Sequence, residues 1–429
     1  MRIEHSIALL DADAFFVACE RVADPRLGGR PAVVVADAKR RSVVLAASYE
    51  ARPFGVKTGM VLHEARRACP TLTVVESHPA LYLHLSSEIE KILWDFTDRV
   101  EMSSVDEAYL DLTGVLSYFH ADAVTIGRRI QARITQDLGL PVTLGIGPNK
   151  LIAKLLADLA KPEGVREVRA PDVAALFEQT PVEKLCGIGS RMQAALAPLG
   201  VKTAADLGRL PVEVLLDRFG VIGWTLKHMG QGIDHSPVRS IGGRPGPTRF
   251  PGRYVADETV IPDEVKSIGH AHTLQTDTAD PGIVHSFLFL LSEKVAARLR
   301  RHDLAGRVIH VTIRTADFDT LGKQRKISIP TSNGPEIYGV ARGILNELWR
   351  PNPPPPAIRL VGVSVSYLSP RNAQPPLLPA ERRRSDLDDL VDRINSRHGR
   401  GAIRPAAQLP AEKFGILTPP IPPHQHDSR

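Results

Sequence analysis

Residues Ile7-Ala8-Leu9-Leu10-Asp11-Ala12-Asp13-Ala14-Phe15-Phe16 read as an apolar strand that ends in acid and then turns into a helix led by aromatics. A buried strand is apolar throughout, so a carboxylate where the run stops stands at the rim of a sheet. A second stretch, Ser103-Ser104-Val105-Asp106-Glu107-Ala108-Tyr109-Leu110-Asp111, repeats the arrangement. There Val105 and Ala108-Tyr109-Leu110 mark an antiparallel hairpin, with Asp106 and Glu107 near its turn. An ionised carboxylate beside a core is costly unless paired. Two of them about 4 Å apart repel by roughly 4 kcal/mol at an effective dielectric near 20. A divalent cation removes that cost. If the two islands meet in space, the chain holds metal and handles phosphate. Asp11, Asp106 and Glu107 are the candidate ligands, while Asp13 is placed as the N-cap of the helix that follows.

The chain has 429 residues, too many for one core, which points to two to four domains. With 43% hydrophobic and 24% charged residues it has the composition of a folded globular protein, so a wholly disordered chain is excluded. No apolar run approaches the roughly 20 residues that a membrane helix needs. Glu4, His5, Asp11 and Asp13 interrupt any secretory apolar segment, so the expectation is a cytoplasmic protein with no membrane contact. Cys19, Cys69 and Cys186 are far apart and odd in number, and read as buried thiols in a reducing compartment. A net charge of +6 fits a polyanionic partner without proving one.

From residue 1 to about 168, strand-like runs (Ile7–Leu10, Ala32–Val35, Val43–Ala46, Thr73–Val75, Val142–Ile146) alternate with helical patterns (Asp13–Val22, Leu81–Phe96, Ala121–Leu138, Pro148–Ala160). This is an α+β pattern. Residues 169–235 read as short helices punctuated by glycine turns, among them Gly187-Ile188-Gly189. Residues 236–247 have linker composition. A second α+β pattern follows to about 368. Its expected strands are Tyr254–Ile261, Arg307–Arg314, Arg325–Ile329 and Arg359–Leu368, and its expected helices Ile283–Arg301 and Glu336–Leu348. Residues 369–429 are rich in proline and arginine and are expected to be mostly disordered, apart from a short helix at Ser385–Arg397.

Four motifs in order carry a resemblance: Asp11-Ala-Asp13-Ala-Phe15-Phe16, Ser48-Tyr49-Glu50-Ala51-Arg52, Ser104-Val105-Asp106-Glu107-Ala108-Tyr109-Leu110-Asp111 and Ala160-Lys161-Pro162-Glu163-Gly164. The chain resembles the Y-family translesion DNA polymerases, of the DNA polymerase IV (DinB-like) type, over about residues 1–368. The resemblance implies a right-hand polymerase: a palm over 1–19 and 79–167, small fingers over 20–78, a helical thumb with a helix-hairpin-helix over 168–235, and an α+β little finger over 248–368. It implies low-fidelity, DNA-templated DNA synthesis across damage, by nucleotidyl transfer from a dNTP to the primer 3′-hydroxyl.

On this resemblance, Asp11, Asp106, Glu107 and the Ala12 carbonyl hold two Mg²⁺ ions, with Mn²⁺ able to substitute. Tyr49, Arg52 and Lys161 bind the triphosphate; the Tyr-x-x-Arg spacing puts the first two on one helical face. Arg52 offers a forked donor and Lys161 a point charge. Phe16 is the steric gate beneath the sugar, with Phe15 beside it. Gly187 and Gly189 offer backbone N–H groups to a DNA phosphate, and Lys266 and Ser267 match the family's DNA-contacting strand. Lys150 and Lys154, one helical turn apart, are expected at DNA backbone or in solvent. Gln374, Leu377 and Leu378 look like a degenerate peptide for a sliding clamp. The expected partners are primer–template DNA, dNTP and the clamp, and the chain itself is expected to be a monomer.

Some positions depart from the family pattern. Ala46 stands where a threonine is common, Pro53 where a lysine is frequent, and His270 and His272 where arginine is usual. Two other classes fit the acidic islands alone. One is a non-catalytic DNA-binding protein on the same scaffold, disfavoured because Asp11, Asp106 and Glu107 are all intact. The other is a nucleotide cyclase-like palm, disfavoured by the thumb-like module and the C-terminal α+β domain.

Overall fold

A computed structural model describes residues 5–38, 42–239, 265–349, 355–371, 379–399 and 401–413. The chain divides into two compact units, residues 1–256 and 257–429. In chain order the first runs β1 (Ile7–Ala12), α1 (Phe15–Ala23), β2 (Ala32–Val35), β3 (Val44–Ala47), α2 (Leu62–Ala68), β4 (Thr73–Glu76), α3 (Pro79–Leu93), β5 (Val100–Met102), β6 (Glu107–Asp111), α4 (Ala123–Leu138), β7 (Val142–Gly147), α5 (Lys150–Ala160) and β8 (Val165–Glu167). The short helices α6 (Val173–Gln179), α7 (Ser190–Leu196), α8 (Ala204–Arg209), α9 (Val212–Phe219) and α10 (Ile222–Gly230) follow.

The first unit is centred on a five-stranded sheet of order β5-β6-β1-β7-β8. Every residue of β1 is buried, and its side chains alternate between two cores. Ala8, Leu10 and Ala12 join the large core with Ile89 of α3 and Ile126, Ile130 and Ile134 of α4. Ile7 and Leu9 face the other way, onto Ala153 and Ala157 of α5. Asp11 continues that second face. Helix α5 lies very close to β7: a Cβ on Gly145 would sit 2.1 Å from the Ala157 nitrogen, so only glycine fits there. A smaller sheet, β3-β2-β4, carries its own core with α2. Helices α6–α10 close over a third core with Leu155 and Leu156 of α5.

The second unit runs β9 (Ser267–Thr278), α11 (Pro281–Arg301), β10 (Leu304–Thr315), β11 (Thr320–Thr331), α12 (Gly334–Leu348), β12 (Ile358–Pro370), α13 (Pro379–His398) and α14 (Leu409–Lys413). Its antiparallel sheet has the order β11-β10-β12-β9. Helices α11 and α12 pack their apolar stripes onto it. Among the described residues no helix is long and apolar enough to cross a membrane.

Two expectations change here. The short helix expected at Ser385–Arg397 is present within the longer α13, and the structure extends beyond it over residues 379–399 and 401–413. Helix α13 is tied to α11 by Arg300, whose guanidinium makes a two-pronged contact with Asp392 at 2.6 and 2.8 Å. Ala411 is fully buried, and its N–H donates to the Ser286 hydroxyl. The composition reading failed because α13 is held by its acids rather than by an apolar stripe. Cys186 is exposed, unlike Cys19 and Cys69, because the glycine turn that carries it lies at the surface. Expected strand Tyr254–Ile261 and most of the linker lie outside the described residues.

Candidate active site

Strands β1 and β6 pair antiparallel with Asp11 directly opposite Glu107. On one face of a sheet such partners have neighbouring side chains. Asp11 is buried to 2% exposure. One of its oxygens receives the Lys161 ammonium at 2.7 Å and the other the Lys154 ammonium at 3.0 Å. Lys154 also reaches Glu107 at 2.7 Å and Asp158 at 3.2 Å. Burial pushes the Glu107 carboxyl up against the pull of Lys154, and the charges of Asp11 and Asp106 push it further. Burial works against the Lys154 ammonium, but Glu107, Asp11 and Asp158 hold its pKa above the usual value. Sequence reasoning placed Lys154 and Lys150 at DNA or in solvent, and the structure corrects both. Lys154 reaches inward from α5 to the carboxylates, and Lys150 pairs with Glu101 at 2.5 Å. The signal for Lys154 was its spacing from Ala153 and Ala157, which puts it on the turn of α5 facing β1.

Asp106 sits in the turn between β5 and β6. Its backbone carbonyl accepts from the Ala12 N–H at 2.9 Å, which ties the two acidic islands together. Its carboxylate is turned to the Ser104 hydroxyl at 2.5 Å.

Asp13 is not a helix cap. The residue that caps α1 is Ala14, in a left-handed conformation with no side-chain bond. Asp13 is 1% exposed and accepts three hydrogen bonds: Tyr49 Oη at 2.8 Å, Thr143 Oγ1 at 2.7 Å and the Glu163 N–H at 2.9 Å. Tyr49 and Arg52 are not on a regular helix either. They flank a turn into a short 3-10 segment, Arg52–Phe54, where Pro53 lacks the N–H that a longer helix would use. The turn still brings them together, with the Arg52 guanidinium 3.9 Å from the Tyr49 ring centre. Burial and the Asp13 bond push the Tyr49 hydroxyl up to about 12, so it remains a donor.

Phe15 is buried in the core, whereas Phe16 is half-buried. Phe16 stacks on Tyr82 with ring centres 4.5 Å apart. The Tyr82 hydroxyl is held at 2.5 Å by Glu20, a buried acid that also contacts His78 at 2.9 Å. Gly187 has φ 98°, a conformation that favours glycine, and Gly189 leads into α7. Lys266 and Ser267 stand exposed at the start of β9 in the second unit. Farther along β9, burial and the charges of Lys294 and Arg298 pull His270 down to about 4, so it carries no charge at neutral pH. Gln374, Leu377 and Leu378 lie outside the described residues.

Among the described residues no three acidic, histidine or cysteine side chains converge as a ready ligand group. The donors nonetheless suit a hard divalent ion, which takes carboxylate and carbonyl oxygens. Two ammoniums already cover both oxygens of Asp11, as cations standing where a cation is needed. The third carboxylate, Asp106, is bound to the Ser104 hydroxyl of its own turn and acts on Glu107 through its charge.

Residues 10–158 match the model of the impB/mucB/samB family, and residues 265–377 match its C-terminal domain. The DNA polymerase IV of Moorella thermoacetica is 38% identical over 94% of this chain and 96% of its own length. That of Pelotomaculum thermopropionicum is 35% identical over 94% and 95%. Among solved structures, the Y-family DNA polymerase chimera Dbh-Dpo4(243-245)-Dbh is 26% identical with a TM-score of 0.69, over 84% of this chain and 98% of its own. An insertion ternary complex of Dbh DNA polymerase matches the same shares with a TM-score of 0.53. The chain therefore belongs to the Y-family polymerases, with the DNA polymerase IV group, and is a DNA-directed DNA polymerase.

Proposed function

We propose that this chain extends a primer by low-fidelity nucleotidyl transfer from a dNTP, across damaged as well as intact template, with Asp11, Asp106 and Glu107 at its centre. The observation that carries the reading is the paired register of Asp11 and Glu107 at a sheet rim, bridged by the Lys154 ammonium. Asp11, Asp106, Glu107 and the Ala12 carbonyl would hold two Mg²⁺ ions, or Mn²⁺ in their place. Bound there, they would stabilise the charge of the transferring phosphoryl group and lower the pKa of the primer hydroxyl.

The remaining work falls to side chains. Lys161 leaves Asp11 for the triphosphate, and Lys154 screens whatever charge stays on the carboxylates. Arg52, fixed on the Tyr49 ring, presents its fork to the phosphates. Phe16, braced by Tyr82, closes the space beside the sugar and admits deoxyribose. Little covalent chemistry is needed beyond positioning and charge.

In this reading residues 1–19 and 79–167 are the palm, 20–78 the fingers, 168–235 the thumb, 236–247 a linker and 248–368 the little finger. Gly187, Gly189, Lys266 and Ser267 touch the DNA backbone, so affinity falls steeply with salt. Gln374, Leu377 and Leu378 engage the sliding clamp, and the polymerase works as a cytoplasmic monomer. The test is primer extension on intact and lesion-bearing templates, wild type against Asp106→Asn. The variant is expected to lose at least about a hundredfold in rate. Equal extension by both would end this assignment of the site.

A further inference from the structure

We propose that Asp13 is a positioning residue that locks the nucleotide-binding side chains into one geometry. Its carboxylate is the shared acceptor of three segments far apart in sequence. Tyr49 comes from the loop after β3, Thr143 from β7, and the Glu163 N–H from the turn that follows Lys161. Each segment except β7 carries a residue assigned above to the triphosphate. Through Tyr49 the carboxylate fixes the ring on which Arg52 rests. Through Glu163, whose φ is 55°, it holds a left-handed backbone two residues after Lys161. The Glu163 carbonyl is gripped as well, by the Gln131 amide at 2.9 Å.

The arrangement has a direction. Three donors converge on two oxygens of a residue that is 1% exposed, so no solvent stands ready to replace the carboxylate. The main chain adds a fourth restraint, because the Asp13 N–H donates to the Pro141 carbonyl at 2.9 Å. Asparagine would keep one oxygen but turn an amide NH₂ toward donors. A Thr hydroxyl can rotate to accept; the Glu163 N–H cannot. The turn carrying Lys161 would therefore lose its anchor, while Asp11 and Glu107 keep their ladder position.

The inference rests on the reading that Tyr49, Arg52 and Lys161 grip the triphosphate, and single-nucleotide insertion kinetics on the full chain separate the two. Asp13→Asn is expected to raise KM for dNTP about tenfold or more, with kcat falling about threefold or less. Thr143→Val should raise KM by a smaller factor, and the double variant should be no worse than Asp13→Asn alone, because both act through the same carboxylate. A folded Asp13→Asn protein with unchanged KM, or fully multiplicative effects in the double variant, overturns the inference. Should Asp13→Asn not fold, Thr143→Val, which removes one donor to Asp13 without touching a triphosphate residue, decides alone, and an unchanged KM there overturns it. Arg52→Ala and Lys161→Ala serve as the control for the underlying reading. If they leave KM unchanged, the triphosphate assignment falls and takes this inference with it. If they raise KM and Asp13→Asn does not, only the role of Asp13 fails.

Discussion

Lys154 in the first unit and Arg300 in the second each stand among three carboxylates. Around Lys154 these are Asp11, Glu107 and Asp158; around Arg300 they are Asp388, Asp392 and Glu293. The two clusters differ in what the cation can do. Lysine is a point charge on a flexible stem, whereas arginine offers a rigid fork. All three guanidinium nitrogens of Arg300 are engaged: Nε and Nη2 hold Asp392, and Nη1 donates to the Ser332 carbonyl at 3.0 Å. Its side chain is 4% exposed, sealed beneath α13. The Lys154 cluster opens outward, with the Glu107 side chain 26% and that of Asp158 38% exposed. Glu293 completes the contrast. Burial pushes its carboxyl up to about 7, despite Arg300, and among the described residues its Oε1 has no hydrogen-bond partner. One cluster is thus a sealed pin, and the other an assembly of carboxylates whose cation can be exchanged.

The largest effect that tests this contrast is expected from Arg300→Ala. Breaking a buried pair from one side leaves uncompensated carboxylates and costs about 3–5 kcal/mol. Thermal unfolding of the full chain should show it, and limited proteolysis should cut near α13. A loss below about 1 kcal/mol would place Arg300 with ordinary surface pairs and collapse the contrast.

Glu293 sets a pH dependence of the second unit. Its folded pKa lies above the ordinary 4.5, so between pH 4.5 and about 7 the unfolded chain gives up a proton that the folded one keeps. Stability should therefore fall as pH rises through that window, by up to about 3 kcal/mol, and level off above it. Glu293→Gln should flatten this part of the profile in denaturant titrations at several pH values. An identical slope in the variant would assign the effect elsewhere.

The smallest effect belongs to the open cluster. Lys154→Met removes the ammonium that competes for Asp11 and Glu107. The divalent-ion concentration for half-maximal extension should drop by about three- to tenfold. An unchanged requirement would mean that Lys154 does not stand in for a cation, and the two clusters would differ only in exposure.

Much of this was legible in the chain itself. The apolar run Ile7–Leu10 ends in acid, as does the second run, while their pairing stayed a condition until β1 and β6 were seen side by side. The four Ala and Val residues 32–35 form the strand expected of them. Illegible were contacts between residues distant in sequence and alike in character to solvated ones. Asp13 looked like a cap because a capping aspartate and a buried hub share the same local sequence; its partners lie 36, 130 and 150 residues away. Lys154 looked like any lysine on a helix until α5 was laid against β1. The helix expected at Ser385–Arg397 lies within α13, but its docking was illegible because the acids that hold it, Asp388 and Asp392, are residues that composition assigns to water.

The β1–β6 ladder has a consequence for how the enzyme can fail. Side chains on a strand alternate, so pairing shifted by one residue would set Asp11 across from Ala108 or Asp106 and turn one carboxylate toward the helices of the main core. Such a chain would bury charge among Ile89 and Ile126 and would lose the geometry of its chemistry in the same slip. Misthreaded molecules are thereby marked twice, as fragile and as silent. A population of this polymerase that carries full specific activity certifies the alignment of its own central strands.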